Sequence, residues 1–188
     1  MRFINHSKLS GLHAPFGASQ SSWLRYTDDR LLTAFENMKA KDLGTKLHAW
    51  AKETIDLGIK QPRSKKTIYA YVNDAIGFKM NTEVVLYYSD NFFGTADAIC
   101  FRNNTLRIHD LKTGKVGKIE DHIEQLEVYT ALFCLEYKYK PQTIDVELRL
   151  YKQDEVLVHH PDPERITEIM NLIVHFDELL EKHNMREV

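Results

Sequence analysis

The tightest constraint on the fold lies in residues 92–112, where two runs of β-branched and aromatic residues flank the dipeptide Asn103-Asn104. Asparagine tolerates the left-handed backbone that a two-residue hairpin demands, so this stretch reads as two antiparallel strands joined by a tight turn. Side chains alternate faces along a strand with a period of two. Thr95 and Asp97 therefore share one face of the first strand, and Asp110 and Lys112 share one face of the second. If the register brings those faces together, two carboxylates and an ammonium group meet in a small volume. That set suits metal-dependent phosphodiester hydrolysis. Carboxylate oxygens hold Mg²⁺ or Mn²⁺, the ion activates a bound water and neutralises phosphate charge, and the lysine positions the nucleophile.

Around this hairpin the pattern is α/β. Residues 1–22 read as an arm or irregular loops, and 23–188 as a single domain. Thr27 is an N-cap followed by Asp28 and Asp29, where a helix dipole favours acids; Leu31, Leu32, Phe35 and Met38 continue as a helical stripe. A second helix is expected over Leu43–Leu57, with Leu47, Trp50, Ala51, Thr54 and Ile55 inward and Gly58 as its stop. Ser64 caps a third helix carrying Ile68, Val72, Ala75 and Ile76 and ended by Gly77. Thr82–Tyr88 is the first strand of a three-stranded meander. A helix over Glu120–Tyr137 places Gln125 and Tyr129 on one face by their i, i+4 spacing, with His122 on the same side. Thr143–Tyr151 and Val156–Val158 are further strands. Asp162-Pro163-Glu164 opens a last helix with Ile166, Ile169, Ile173, Phe176 and Leu180 inward.

Composition narrows the class. The 188 residues suffice for one sizeable core, and 43% hydrophobic with 28% charged content is ordinary for a globular protein. No apolar run has the length of a membrane span and the first residues lack a signal-peptide core, so a cytoplasmic location (a host's cytoplasm for a phage protein) is expected, with no membrane partner. Cys100 and Cys134 are too few for a zinc site or an iron–sulfur cluster and read as buried thiols. His159, His160, His175 and His183 show no convergent ligand spacing. The net charge of −2 is not that of a bulk nucleic-acid coat. Local basic segments remain: Lys65 and Lys66 in the loop before the third helix, and Lys115 and Lys118 after Thr113-Gly114.

Four segments resemble one family in order: Gly44-Thr45-Lys46-Leu47-His48, Gly94-Thr95-Ala96-Asp97, Asp110-Leu111-Lys112-Thr113-Gly114 and Gln125-x-x-x-Tyr129. Together, from about Leu43 to Tyr137, they are similar to the RecB-like exonuclease branch of the PD-(D/E)XK nucleases, in its stand-alone, phage-type form without the four-cysteine iron–sulfur cluster. The resemblance implies a restriction-endonuclease-like fold, a mixed central sheet flanked by helices. It also implies a deoxyribonuclease using Mg²⁺ or Mn²⁺, most simply an exonuclease serving recombination, repair or phage DNA processing. His48, Asp97, Asp110 and the backbone carbonyl of Leu111 are the implied metal ligands, and Glu83 lies beside them or joins the metal. Lys112 either orients the attacking water or stabilises charge on the phosphate, and the metal ion should lower its pKa. Gln125 and Tyr129 face the site and position DNA. Thr113, Lys115, Lys118, Lys65 and Lys66 contact the DNA substrate, and a recombination or replication protein is a further partner class. A structure-specific or nicking endonuclease, and a catalytically silent DNA- or protein-binding module, are the competing functions. Oligomeric state, strand polarity and metal preference do not follow from the sequence.

Overall fold

The computed structural model describes residues 8, 14–19, 21–114, 118–153 and 155–184. The chain divides into two compact units between Thr45 and Lys46. In the first, a 3-10 turn at Ser21–Arg25 precedes the N-terminal part of helix α1, Asp28–Asp56, whose remainder belongs to the second. Thr27 caps α1 as expected, its Oγ1 accepting from the Arg30 N–H at 3.4 Å. Trp23 Nε1 donates to the Gly17 carbonyl at 3.1 Å, and the Phe16 and Phe35 rings lie 6.3 Å apart. Leu32 and Met38, expected in an inward stripe, are exposed. The separate helix expected from Leu43 is instead the continuation of α1. Gly44 costs a helix interior only about 1 kcal/mol, too little to break it. Gly58, with φ of +67°, follows its end.

The second unit is an α/β assembly around one mixed five-stranded sheet in the order β1-β2-β3-β4-β5. Its strands are β1 (Asn81–Ser89), β2 (Phe92–Arg102), β3 (Thr105–Lys112), β4 (Asp145–Lys152) and β5 (Glu155–His159). Asn103 and Asn104 take φ of +49° and +60°, the left-handed pair expected of the β2–β3 turn. Every neighbouring pair is antiparallel except β3 and β4, which run parallel. Parallel neighbours need a long crossover, and helix α3 (Ile119–Tyr137) provides it.

Two apolar clusters sandwich the sheet. On one face, Leu86, Ala96, Ile99, Leu106, Ile108, Leu148 and Leu150 pack with α3 and with helix α4 (Pro163–Asn184). On the other, Ala98, Cys100, Leu111 and Tyr151 pack with the C-terminal half of α1 and with helix α2 (Thr67–Phe78). Ala51, Thr54 and Ile55 are the buried positions of α1, as its spacing predicts. Helix α2 is bounded differently from expectation. Lys66 is the N-cap position, without a side-chain cap of its own, and its N–H donates to Ser64 Oγ at 3.1 Å; Lys79, not Gly77, takes the left-handed conformation at the far end. Helix α4 also departs. Ile166, Ile169 and Ile173 are buried, but Phe176 and Leu180 are exposed. Asp177 turns inward in their place and accepts from Ser89 Oγ at 2.7 Å and Asn91 Nδ2 at 2.9 Å, tying the β1–β2 turn to the helix. Cys100 and Cys134 are free and buried, as expected. Among the described residues no helix is long and apolar enough to cross a membrane.

Candidate metal centre

The site forms where the sheet departs from regular alternation. Ala96 and Ala98, two residues apart on β2, should share a face, yet Ala96 belongs to the α3-side cluster and Ala98 to the α1/α2-side cluster. Their partners on β1 are Val84 and Thr82; between them Glu83 adopts φ of +51°. A left-handed backbone at a non-glycine residue inside a strand costs about 1 kcal/mol or more, and such strain clusters where a side chain must be aimed. The result is a junction at Glu83 and Asp97.

At that junction α1 supplies an imidazole. His48 Nδ1 lies 3.4 Å from Asp97 Oδ2. Ligand atoms of His48, Glu83 and Asp97 all fall within 4.8 Å of one another. Asp97 Oδ2 also accepts the Leu111 backbone N–H at 3.0 Å, which fastens β2 to β3 where the ladder stops at Ala98 and His109. The Leu111 side chain is buried in the α1/α2-side cluster.

Beside this triad runs a hydrogen-bonded chain on the α3 side. Lys112 Nζ donates to Asp110 Oδ1 and to Gln125 Oε1, each at 3.0 Å, and Gln125 Nε2 donates to the Tyr129 hydroxyl at 3.0 Å. Gly94 makes room for Tyr129. A Cβ at position 94 would lie 2.7 Å from Tyr129 Cε1, closer than real side chains approach. A glycine inside a strand marks such a close passage, which is the sequence signal for a role that the motif alone does not explain.

The electrostatics show what the site lacks. Burial pushes the Asp110 carboxyl up to about 6, with the charge of Asp97 adding to the effect. Burial also raises Glu83, again with Asp97 adding. His48 is raised, chiefly by its hydrogen bond to Asp97. Burial raises the Tyr129 hydroxyl and, beside the charge of Lys112, lowers His122. Three carboxylates thus crowd together, and Asp110 Oδ2, inaccessible to solvent, has no hydrogen-bond partner among the described residues. A hard divalent cation fits this set, because oxygen and imidazole donors suit Mg²⁺ and Mn²⁺ and the ion would offset the repulsion. Glu83 sits within the triad itself rather than behind it. Asp110 stands next to the triad and is held by Lys112.

The residues expected on DNA fall into three groups. Lys66 and Thr113 line a cleft of about 230 Å³ together with Leu47, Lys112 and Gln153. Lys65 is exposed outside that cleft, and Lys118 is exposed at the N-terminus of α3. Lys115 lies outside the described residues.

Comparison with known proteins adds a family match over part of the chain and no activity. The profile of a family described as "Protein of unknown function (DUF2800)" matches residues 79–151, a span that holds Glu83, Asp97, Asp110, Lys112, Gln125 and Tyr129 and leaves out His48. No curated protein and no solved structure matches the chain.

Proposed function

We propose that the second unit is a divalent-metal-dependent deoxyribonuclease of the PD-(D/E)XK type with a restriction-endonuclease-like fold, acting as an exonuclease. One observation carries the reading: His48, Glu83 and Asp97 converge to within 4.8 Å beside a chain that aims Lys112 between Asp110 and Gln125. His48, Glu83 and Asp97 would hold Mg²⁺ or Mn²⁺, with Asp110 beside them as a further oxygen donor. Bound there, the ion would supply Lewis-acid neutralisation of a phosphate oxygen and lower the pKa of a water.

The chain's own groups do the rest. An ammonium has three donors, and Lys112 spends two of them on Asp110 and Gln125. The third is left for a water or a phosphate oxygen, so both roles for Lys112 stay open. Tyr129 accepts from Gln125 and keeps its amide turned to the lysine. The modest net charge suits an enzyme whose attraction for phosphate comes from a local site rather than the whole surface.

The test uses the full chain with end-labelled single strands, duplexes and covalently closed circles, in Mg²⁺, Mn²⁺ or EDTA. Metal-dependent loss of linear DNA with circles spared is expected. Nicked circles would assign a nicking endonuclease instead. Absence of cleavage with either metal, or wild-type cleavage by Asp110→Ala or Lys112→Ala, would overturn the reading and leave a silent binding module.

A further inference from the structure

Within the second unit, the C-terminal part of α1 and α2 leave part of their face of the sheet exposed. Val84, Leu86 and Tyr88 of β1, with Phe92 and Ala96 of β2, pack on the α3 side. By alternation Val85 and Tyr87, and Phe93 and Thr95, project from the opposite face. There they are bare: Phe93 is 61% exposed, Val85 54% and Tyr87 45%. Tyr87 and Phe93 are register partners, as are Val85 and Thr95. The four form a patch that runs along β1 and β2 directly into Glu83 and Asp97.

We infer that this patch is a stacking platform for the unpaired bases of a single-stranded DNA substrate, leading the strand into the candidate metal centre. The inference rests on the nuclease reading and adds a substrate class to it. Large exposed aromatics are unfavourable in water, and two cross-strand rings next to a reactive site are how sheet surfaces hold unstacked bases. A protein strand adding to the edge of β1 is a poorer occupant, because the Tyr87 backbone N–H is already taken by Glu136 Oε2 at 2.9 Å. The Tyr87 hydroxyl is held by Asp90 Oδ1 at 3.0 Å, which anchors the ring at its polar end. Asp90 and Glu136 disfavour phosphates at the far end of the patch. Contact there is therefore through base faces, with the backbone turned to solvent. Base faces are hidden in a duplex, so the platform selects single strands.

The experiment has a cleavage arm and a binding arm. In the first, kcat/KM is measured for a labelled single strand and its duplex with Mn²⁺, for wild type, Tyr87→Ser, Phe93→Ser and Phe93→Trp. Stacking is worth about 1–3 kcal/mol per base, so the single-strand to duplex ratio should fall about tenfold for Phe93→Ser and recover in Phe93→Trp. In the second, Asp110→Asn protein is titrated with a 2-aminopurine single strand; quenching should occur and weaken when Phe93→Ser is added. Binding should also depend weakly on salt, well short of the slope of about −0.7 per phosphate for a strand held by many charged contacts. An unchanged ratio with cleavage intact overturns the platform and leaves the nuclease reading standing. Patch-dependent quenching without cleavage by wild type does the reverse. Self-association lost in Phe93→Ser, with DNA binding unaltered, would assign the patch to a second copy of the chain.

Discussion

Two clusters of ionisable groups on the same sheet use the same kinds of residue to different ends. At the β1–β3 junction, Glu83, Asp97 and Asp110 face His48 and Lys112, while Lys52, paired to Asp56, acts on Glu83 from further off. On β3 and β4, Arg107 and Arg149 bracket Glu147 at 3.3 and 2.9 Å, and Arg149 also reaches Asp74 at 2.9 Å. Both guanidinium groups lie over the Phe78 ring, and Tyr151 donates to Asp74 at 2.6 Å. Two arginines against two acids is a set balanced in charge, although Arg107 Nε meets Glu147 as an ion pair without a formed hydrogen bond. Three acids against one contacting lysine, a titratable histidine and a Lys52 already shared with Asp56 is not. The histidines report the difference: His48 is raised by Asp97, whereas burial and two arginines push His109 down to about 3. A balanced cluster stabilises the fold; an unbalanced one is, on the proposed reading, the place for a cation.

The contrast can be broken most decisively by activity. Asp110→Asn is expected to lower cleavage by at least about 100-fold, the size typical of losing a group that acts on transition-state charge, with little change in melting temperature. Arg149→Met should do the opposite, destabilising by about 1–2 kcal/mol in its partly exposed network with cleavage per folded molecule kept. If both variants lose activity and stability together, the two clusters are not distinct. Next in size, Mn²⁺ at about 100 times its Kd should add about 2.7 kcal/mol of stability, read as a rise in melting temperature. His48→Ala or Glu83→Ala should reduce that rise, whereas Arg149→Met should not.

A smaller effect separates packing from chemistry within the site. Gly94→Ala forces Tyr129 to move and should cost about 1–3 kcal/mol of overpacking, with cleavage reduced about tenfold. Tyr129→Phe loses only the hydroxyl and should fall less. Equal losses would mean that the hydroxyl, and not the seat of the ring, matters.

The gentlest test is pH, in EDTA. His109 folds neutral with its pKa near 3 against 6.5 unfolded. Its contribution to stability is complete above about pH 6.5 and is lost as pH falls toward 3, at no more than about 1.4 kcal/mol per unit. Asp110 runs the other way. Its folded pKa of about 6 against 3.8 means stability is present below about pH 3.8 and lost as pH rises through 6. Adjacent residues thus offset each other between about pH 4 and 6. Chemical denaturation across that range should give, relative to wild type, a steeper acid loss for Asp110→Asn and a gain of stability on acidification for His109→Phe. Identical profiles for all three would show that neither shift exists.

Local chemistry made much of this molecule legible in its sequence. The Asn103-Asn104 hairpin, the Thr27 cap and the i, i+4 pairing of Gln125 with Tyr129 each depend on neighbours within a few residues. Tertiary structure alone decided the rest. That Asp177 rather than Phe176 turns inward depends on a serine 88 residues away. The parallel pairing of β3 with β4 is chosen by where α3 delivers the chain. The meeting of His48 with Glu83 and Asp97 required a helix to be laid against two strands whose alternation breaks at that point. A period-two pattern cannot announce its own interruption. The strain at Glu83 is held in place only by the packing on both sides of it, and for that reason the chain's local pattern is silent about it.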